Sequence, residues 1–348
     1  MLLALSEISI IASNFLETKI NYVIPNNQDI TIIFQKIIGS NEIRIVNREQ
    51  IDKNQFSCIE KITCNDSSVF VIKSISNLMK SEIKVHQYVN SLRINAPYFY
   101  YGKSSVSASG LESNFIIMEF VENYLHLYNI LEDELYYEAV RLLGEMHLLS
   151  MQKLVILRDQ IKIPVYDVQW YLDNVDRIIF EISRLSIHYP HPEYLPKDLI
   201  STLQRSVSKI KYYLNAISDI PNTLVHGDFD SGNIIFYHKG KHVGNVKVLD
   251  WGHGHIGPPV IDIAHLFNSL GYFDYERKIM LIAEYLKTCR PLYSKNVEFS
   301  LLIIGGTIVH YLYHLNFKLK AIEQKYVLPE FFVEQIHKRV VMLTKILV

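Results

Sequence analysis

Two short runs hold the residue types that chemistry needs: Leu224–Asn233 (LVHGDFDSGN) and Val248–Gly252 (VLDWG). In the first, Asn233 follows Asp228 by five positions. In the second, Asp250 stands 22 positions after Asp228, in an Asp-x-Gly setting. One carboxylate, one amide and a second carboxylate on neighbouring loops suit magnesium-dependent phosphoryl transfer. Asp228 would orient and deprotonate a hydroxyl, while Asn233 and Asp250 would hold Mg²⁺ on nucleotide phosphates.

An upstream pair fits the same chemistry. Lys73 ends the run VFVIK, and Glu82 lies nine residues later on a segment with helical spacing. A lysine there serves as a point charge for phosphates, and Glu82 would hold it by an ion pair.

These residues need elements to position them. The runs ITIIF (30–34), EIRIV (42–46), SCIEKIT (57–63) and VFVIKSI (69–75) read as strands. The last two flank Cys64-Asn65-Asp66-Ser67, which is turn chemistry, so they predict a hairpin. Residues 78–92 predict a helix, and Phe115–Val121 a short strand. From about residue 124 helical periodicity dominates, with helices at 134–150, 168–186, 198–217, 260–271, 276–289, 297–320 and 329–347. Short strands at 222–226, 233–237 and 246–250 flank the two motif runs. Residues 3–17 predict a further amphipathic helix. The order gives an α+β chain in two lobes, a β-rich part over 1–121 and a larger helical part over 122–348.

Composition narrows the class. The 348 residues are 49% hydrophobic, enough for two lobes with cores. Lys+Arg 35 against Asp+Glu 36 leaves a net charge of −1, so no basic footprint points to nucleic acid. Three cysteines, Cys58, Cys64 and Cys289, fit a reducing cytoplasm rather than a disulfide framework. The apolar start lacks a basic leader and contains Glu7; no run reaches transmembrane length, so no membrane partner is expected.

His226-Gly227-Asp228 with Asn233, then Leu249-Asp250-Trp251-Gly252, resembles the aminoglycoside phosphotransferase/choline kinase family. Gly257-Pro258-Pro259-Val260-Ile261-Asp262-Ile263-Ala264 and Leu143-Gly144-Glu145-Met146-His147 add to the likeness, which covers about residues 50–270. It implies a bilobal protein-kinase-like fold with ATP, or GTP, and Mg²⁺ as cofactors, the nucleotide lying between the lobes. It further implies Lys73 and Glu82 at the phosphates, and the Glu119 carbonyl and Val121 amide at the base. Ile235 and Leu249 would wall the base, His226 would pack under the catalytic loop and Asp262 would brace it.

The sequence departs from that pattern in two places. No glycine occurs over Asp52–Ser57, where a phosphate-covering loop belongs. Protein kinases carry a lysine two residues after the catalytic Asp, and here Asp230 stands there. The segment after Asp250 is also too short to seat a peptide, so a small-molecule acceptor is expected. Asp230, Trp251, His253, His255 and Asp274 are the candidate substrate contacts, with Trp170 and Tyr171 as aromatic support. His253 and His255 also admit a zinc reading, which lacks a completing ligand set. The expected acceptor is a hydroxylated amine. Amine-bearing antibiotics such as aminoglycosides rank first; choline, ethanolamine, homoserine or a similar amino alcohol ranks second. A strongly acidic cleft for a polycation is not obvious. A non-catalytic nucleotide binder is the rival from another class.

Overall fold

The structure, a computed structural model, describes residues 22–106, 112–130, 132–154, 162–188, 195–239, 242–271, 273–293, 298–325 and 329–347. The helix expected over 3–17 lies outside them. By their internal contacts the described residues form two compact units. One lies within Met1–Lys80, Tyr100–Phe120 and Ala321–Leu328, the other within Ser81–Phe99, Val121–Lys320 and Pro329–Val348.

The first unit is built on a five-stranded sheet of order β1-β2-β3-β5-β4: β1 (Ile45–Lys53), β2 (Ser57–Cys64), β3 (Val69–Ile75), β4 (Phe99–Val106) and β5 (Glu112–Glu119). The expected β2–β3 hairpin forms. Its turn closes with Ser67 N–H donating to the Cys64 carbonyl and Ser68 N–H to Asp66 Oδ1. The ITIIF run is a helix, not a strand: it lies in α1 (Asn27–Ile38). Asn26 caps its start by accepting from Asp29 N–H, and left-handed Gly39 ends it. Ile30 and Phe34, one turn apart, are buried while Ile32 is exposed, and that is helical rather than strand burial. Phe34 stacks on Phe70 of β3 with centroids 4.5 Å apart, which seats α1 on the sheet.

The second unit starts earlier than a boundary at residue 122. It takes in α2 (Ser81–Ser91), because Val85, Tyr88 and Val89 are buried in its core with Leu143, Phe229 and Trp251. Its other helices are α3 (Asp133–Gln152), α4 (Val168–His188), α5 (Lys197–Arg205), α6 (Val207–Ala216), α7 (Val260–Ser269), α8 (Tyr275–Thr288), α9 (Phe299–Glu323, up to Lys320) and α10 (Pro329–Leu347). The single helix read over 198–217 is thus two, broken at Ser206. Among the described residues no helix is long and apolar enough to cross a membrane.

Two small sheets in this unit hold the motif loops. β7 (Thr223–Val225) pairs with β10 (His255–Gly257). β8 (Ile234–Lys239) lies between β6 (Tyr124–His126) and β9 (His242–Val248). The Ile234↔Val248 register brings Asn233 beside Leu249, and Leu249 N–H donates to the Asn233 carbonyl at 2.8 Å. A hairpin thus spans the sequence gap between Asn233 and Asp250.

Helix α9 approaches α7 very closely at Gly306. A Cβ there would stand 2.3 Å from the Val260 carbonyl oxygen, a backbone atom that cannot step aside. Gly306→Ala should therefore lower stability by about 1–3 kcal/mol. Gly271→Ala, where a Cβ meets open space, is the control, and should leave the melting temperature nearly unchanged. Paired thermal melts of the two variants check this.

Candidate active site

β7 is fully buried and delivers His226, Gly227 and Asp228 to its C-terminal end. Gly227 has φ +79, and a Cβ on it would lie 2.4 Å from the His253 carbonyl oxygen, so the turn requires glycine. His226 is buried. Its Nε2 donates to the Leu249 carbonyl at 2.7 Å, and its Nδ1 accepts from Asp228 N–H at 3.3 Å. That one ring ties the loop of Asp228 to the loop of Asp250.

Asp262, in the first turn of α7, braces the same loop from below. Its two oxygens accept from His226 N–H at 2.7 Å and Gly227 N–H at 2.8 Å, and His147 Nε2 lies 3.1 Å away. Burial pushes the carboxyl up. The hydrogen bond and charge of His147, with the His226 interactions, outweigh that and hold it below the usual carboxylate range. His147 is itself oriented by Tyr285 Oη at 2.8 Å. The L-x-x-x-H segment and the G-P-x-x-x-D-x-A segment thus meet in one network.

Asp228 is partly exposed, with 32% of its side chain accessible. Asn233 Nδ2 donates to the Asp228 carbonyl at 2.8 Å and approaches Asp228 Oδ2 at 3.3 Å, which turns the amide oxygen of Asn233 the other way. Asp250 is exposed, left-handed with φ +54, and accepts from Gly252 N–H through Oδ1. The donors offered at Asn233 and Asp250 are oxygens, which fits a hard cation such as Mg²⁺. Asp230 Oδ1 caps the turn to Gly232 N–H and Asn233 N–H at 2.8 and 3.0 Å. A carboxylate oxygen from Asp228 and another from Asp230 converge with His265 Nδ1 within 4.8 Å of one another.

In the first unit, Lys73 is buried on β3 opposite Ile59 and Ile116, and Glu119 ends β5. Glu82 is buried in the first turn of α2, in the second unit, with His86 Nε2 3.5 Å away. Val121 begins the second segment of that unit, Val121–Lys320. Ile235 is fully buried on β8 and Leu249 half-buried. The glycine-free turn before β2 is closed by Asn54, whose Oδ1 accepts from Phe56 N–H and Ser57 N–H at 2.8 and 2.9 Å. A side-chain turn does there what glycines would otherwise do.

Several expected substrate contacts need correction. Trp251 is fully buried, donates to the Val248 carbonyl and packs edge-on against His226 at 4.8 Å, so it is core. His255 is also fully buried, stacked on Tyr313 at 4.6 Å with Nδ1 on the His253 carbonyl; this removes it from both the substrate and the zinc readings. Asp274 is exposed and caps α8 by accepting from Arg277 N–H, which is compatible with a substrate contact. Tyr171 is core, and half-buried Trp170 packs on it and on Tyr166. Half-buried His253 remains near the site, 5.0 Å ring to ring from His314.

Two histidines beside Asp228 escaped the sequence reading. His265 Nδ1 and His314 Nε2 stand 3.6 and 3.8 Å from Asp228 Oδ1, and His314 Nε2 donates to the Gly227 carbonyl at 3.2 Å. His310 lies against both rings, with centroids 3.9 Å from His265 and 4.5 Å from His314. Burial lowers the pKa of all four histidines 253, 265, 310 and 314, so the cluster is neutral at pH 7. A signal was present: His310, His314 and Lys318 recur every four residues on one face of α9.

Residues 72–288 match the phosphotransferase enzyme family. The chain belongs to that family. It is therefore a phosphotransferase, and its solved neighbours share the kinase-like fold. One is an ethanolamine kinase of Plasmodium vivax, at 15% identity over 96% of this chain and 93% of that one, with a TM-score of 0.60. Another is the GDP complex of wild-type aminoglycoside 2'-phosphotransferase-IIIa, at 14% over 92% and 99%, TM-score 0.61. A third is choline kinase LicA from Streptococcus pneumoniae, at 14% over 91% and 99%, TM-score 0.53. No curated protein matches the sequence.

The buried histidines make stability depend on pH. Burial brings His255 from its ordinary 6.5 down to about 4, so below 6.5 the unfolded chain takes up the proton more readily than the folded one. Stability is full above 6.5 and is lost as pH falls toward 4, by about 3 kcal/mol from this ring alone. Urea unfolding at pH 7.5, 6 and 5 should show that decline, and His255→Gln should flatten it.

Proposed function

We propose that this phosphotransferase is an ATP- and Mg²⁺-dependent small-molecule kinase that phosphorylates a hydroxyl on an amine-bearing acceptor. The observation that carries the reading is the bracing of Asp228: both amides ahead of it are held by buried Asp262, and Asn233 fixes its backbone carbonyl. In this reading Asp228 accepts the hydroxyl proton and aligns the oxygen for attack. Asn233 and Asp250 hold Mg²⁺, which neutralises phosphate charge when bound. Lys73 supplies a positive charge for the nucleotide phosphates in this reading. Positioning and electrostatics do the work, without a covalent enzyme intermediate.

Two acceptor classes fit the family: polycationic antibiotics of the aminoglycoside type and small amino alcohols. The cluster around Asp228 favours the second, which spans cationic amino alcohols and zwitterionic hydroxy amino acids such as homoserine. His265, His310 and His314 line it and Lys318 lies one turn along α9, so neutral rings and a cation share this ground with Asp228 and Asp230. GTP is a possible donor in place of ATP.

Asp228→Asn should leave nucleotide binding nearly intact and lower kcat by roughly 10²–10⁴-fold, the range of a lost general base. Asp250→Ala should instead abolish Mg²⁺-dependent nucleotide binding. Coupled ADP-release kinetics and calorimetric nucleotide titrations separate the two. Full activity of Asp228→Asn on the turned-over acceptor would refute the assignment.

A further inference from the structure

Helix α9 carries His310, His314 and Lys318 one turn apart on one face, and His314 reaches within 3.8 Å of Asp228 Oδ1. Lys318 continues that face. Its side chain is only 6% exposed, and its ammonium group sits over the Phe332 ring at 4.8 Å, without an acidic partner. Arg339, on α10, comes alongside. Its Nε is buried without an acceptor, and its one weak bond is from Nη1 to the Gln335 carbonyl at 3.5 Å. Among the described residues no carboxylate is in ion-pair range of either cation. A buried lysine beside a half-buried arginine with no counter-charge is costly, and such groups persist where something else supplies the charge.

The electrostatics agree with that geometry. Burial, then the neighbouring Arg339, brings Lys318 down to about 7, against the pull of Asp228. Burial also lowers Arg339, again opposed by Asp228. His310 and His314 feel both cations as repulsive. Asp228 is thus the acid that both cations sense.

We infer that Lys318 and Arg339 form an anion subsite, and that the acceptor carries an acidic group, a carboxylate or a phosphate ester, besides the hydroxyl that Asp228 engages. This deepens the kinase reading above and rests on it. The subsite separates acceptors by charge: a zwitterionic hydroxy amino acid or an amino-sugar phosphate satisfies it, whereas choline or an aminoglycoside leaves buried Lys318 and half-buried Arg339 unmatched. Guanidinium and ammonium groups together grip a carboxylate or phosphate through charge-assisted hydrogen bonds.

The test is acceptor-dependent ADP release over four panels: hydroxy acids with hydroxy amino acids, sugar phosphates, neutral or cationic amino alcohols, and aminoglycosides. Wild type, Asp228→Asn, Lys318→Met and Arg339→Met are run in parallel. Turnover should be confined to the first two panels, and which of them responds identifies the anion. The methyl ester or neutral analogue of the best acceptor should be poor. Lys318→Met and Arg339→Met should raise the KM for the acid roughly 10–100-fold, with smaller changes in kcat and in the KM for nucleotide. Lys318→Met should also melt above wild type, because a buried unpaired charge is gone, so misfolding is not its explanation. Turnover of cationic or neutral acceptors that is indifferent to both substitutions would overturn the anion subsite while leaving the kinase reading intact. An Asp228→Asn protein as active as wild type would overturn the kinase reading instead. If all panels are silent, inorganic phosphate decides as a probe: a rise in wild-type melting temperature that both variants lose supports the subsite, and no rise refutes it.

Discussion

Asp262 keeps its charge inside the protein, and the loop bearing Asp228 hangs from it. A carboxylate without water needs donors, and the chain supplies His226 N–H, Gly227 N–H and His147. Satisfying that one group fixes the two peptides ahead of Asp228. It also fixes where α7 begins relative to β7. Tyr285 on α8 and His147 on α3 extend the constraint, so three helices and a strand share a single buried network. Such a network makes the loop rigid, and rigidity is what lets a carboxylate hold a hydroxyl in line.

Around that fixed loop the other site elements are arranged by hairpin register. Asn233 and Asp250 lie far apart in sequence, yet the β8–β9 pairing sets their neighbours side by side, and His226 clamps the second loop to the first. The left-handed conformation of Asp250 is strained for a residue with a side chain. Such strain persists where surrounding contacts over-determine it, and here Asn233, His226 and Trp251 fix the residues on either side.

The surface behind Asp228 is chemically unusual. Neutral histidines stack on one another beside the carboxylate, and two cations stand further along α9 and α10. Histidine packed this way fills a polar cavity without adding charge at pH 7. Lys318 and Arg339 are then the basic groups on these two helices that feel the charge of Asp228.

Most of the candidate site was legible in the sequence, because the spacing of Asp228, Asn233 and Asp250 reflects a local loop-hairpin-loop that is close in the chain. The β2–β3 hairpin and the helical C-terminal part were legible for the same reason: turn residues and periodicity are local signals. Other features depend on distant packing. ITIIF has strand composition, but Asn26 and Gly39 cap it and Phe70 receives its helical face. Trp251 and His255 sit in the motif by sequence, yet in space they face the core. Helix α2 follows the N-terminal sheet in the chain but buries its apolar face with Leu143 and Trp251. Residues of α9 and α10 reach Asp228 from about a hundred positions away. The sequence by itself determined the chemistry of the motif loops, through residue types at short spacing. Only the tertiary structure decided which side chains surround that chemistry and with what charge, because burial and long-range contact are properties of packing.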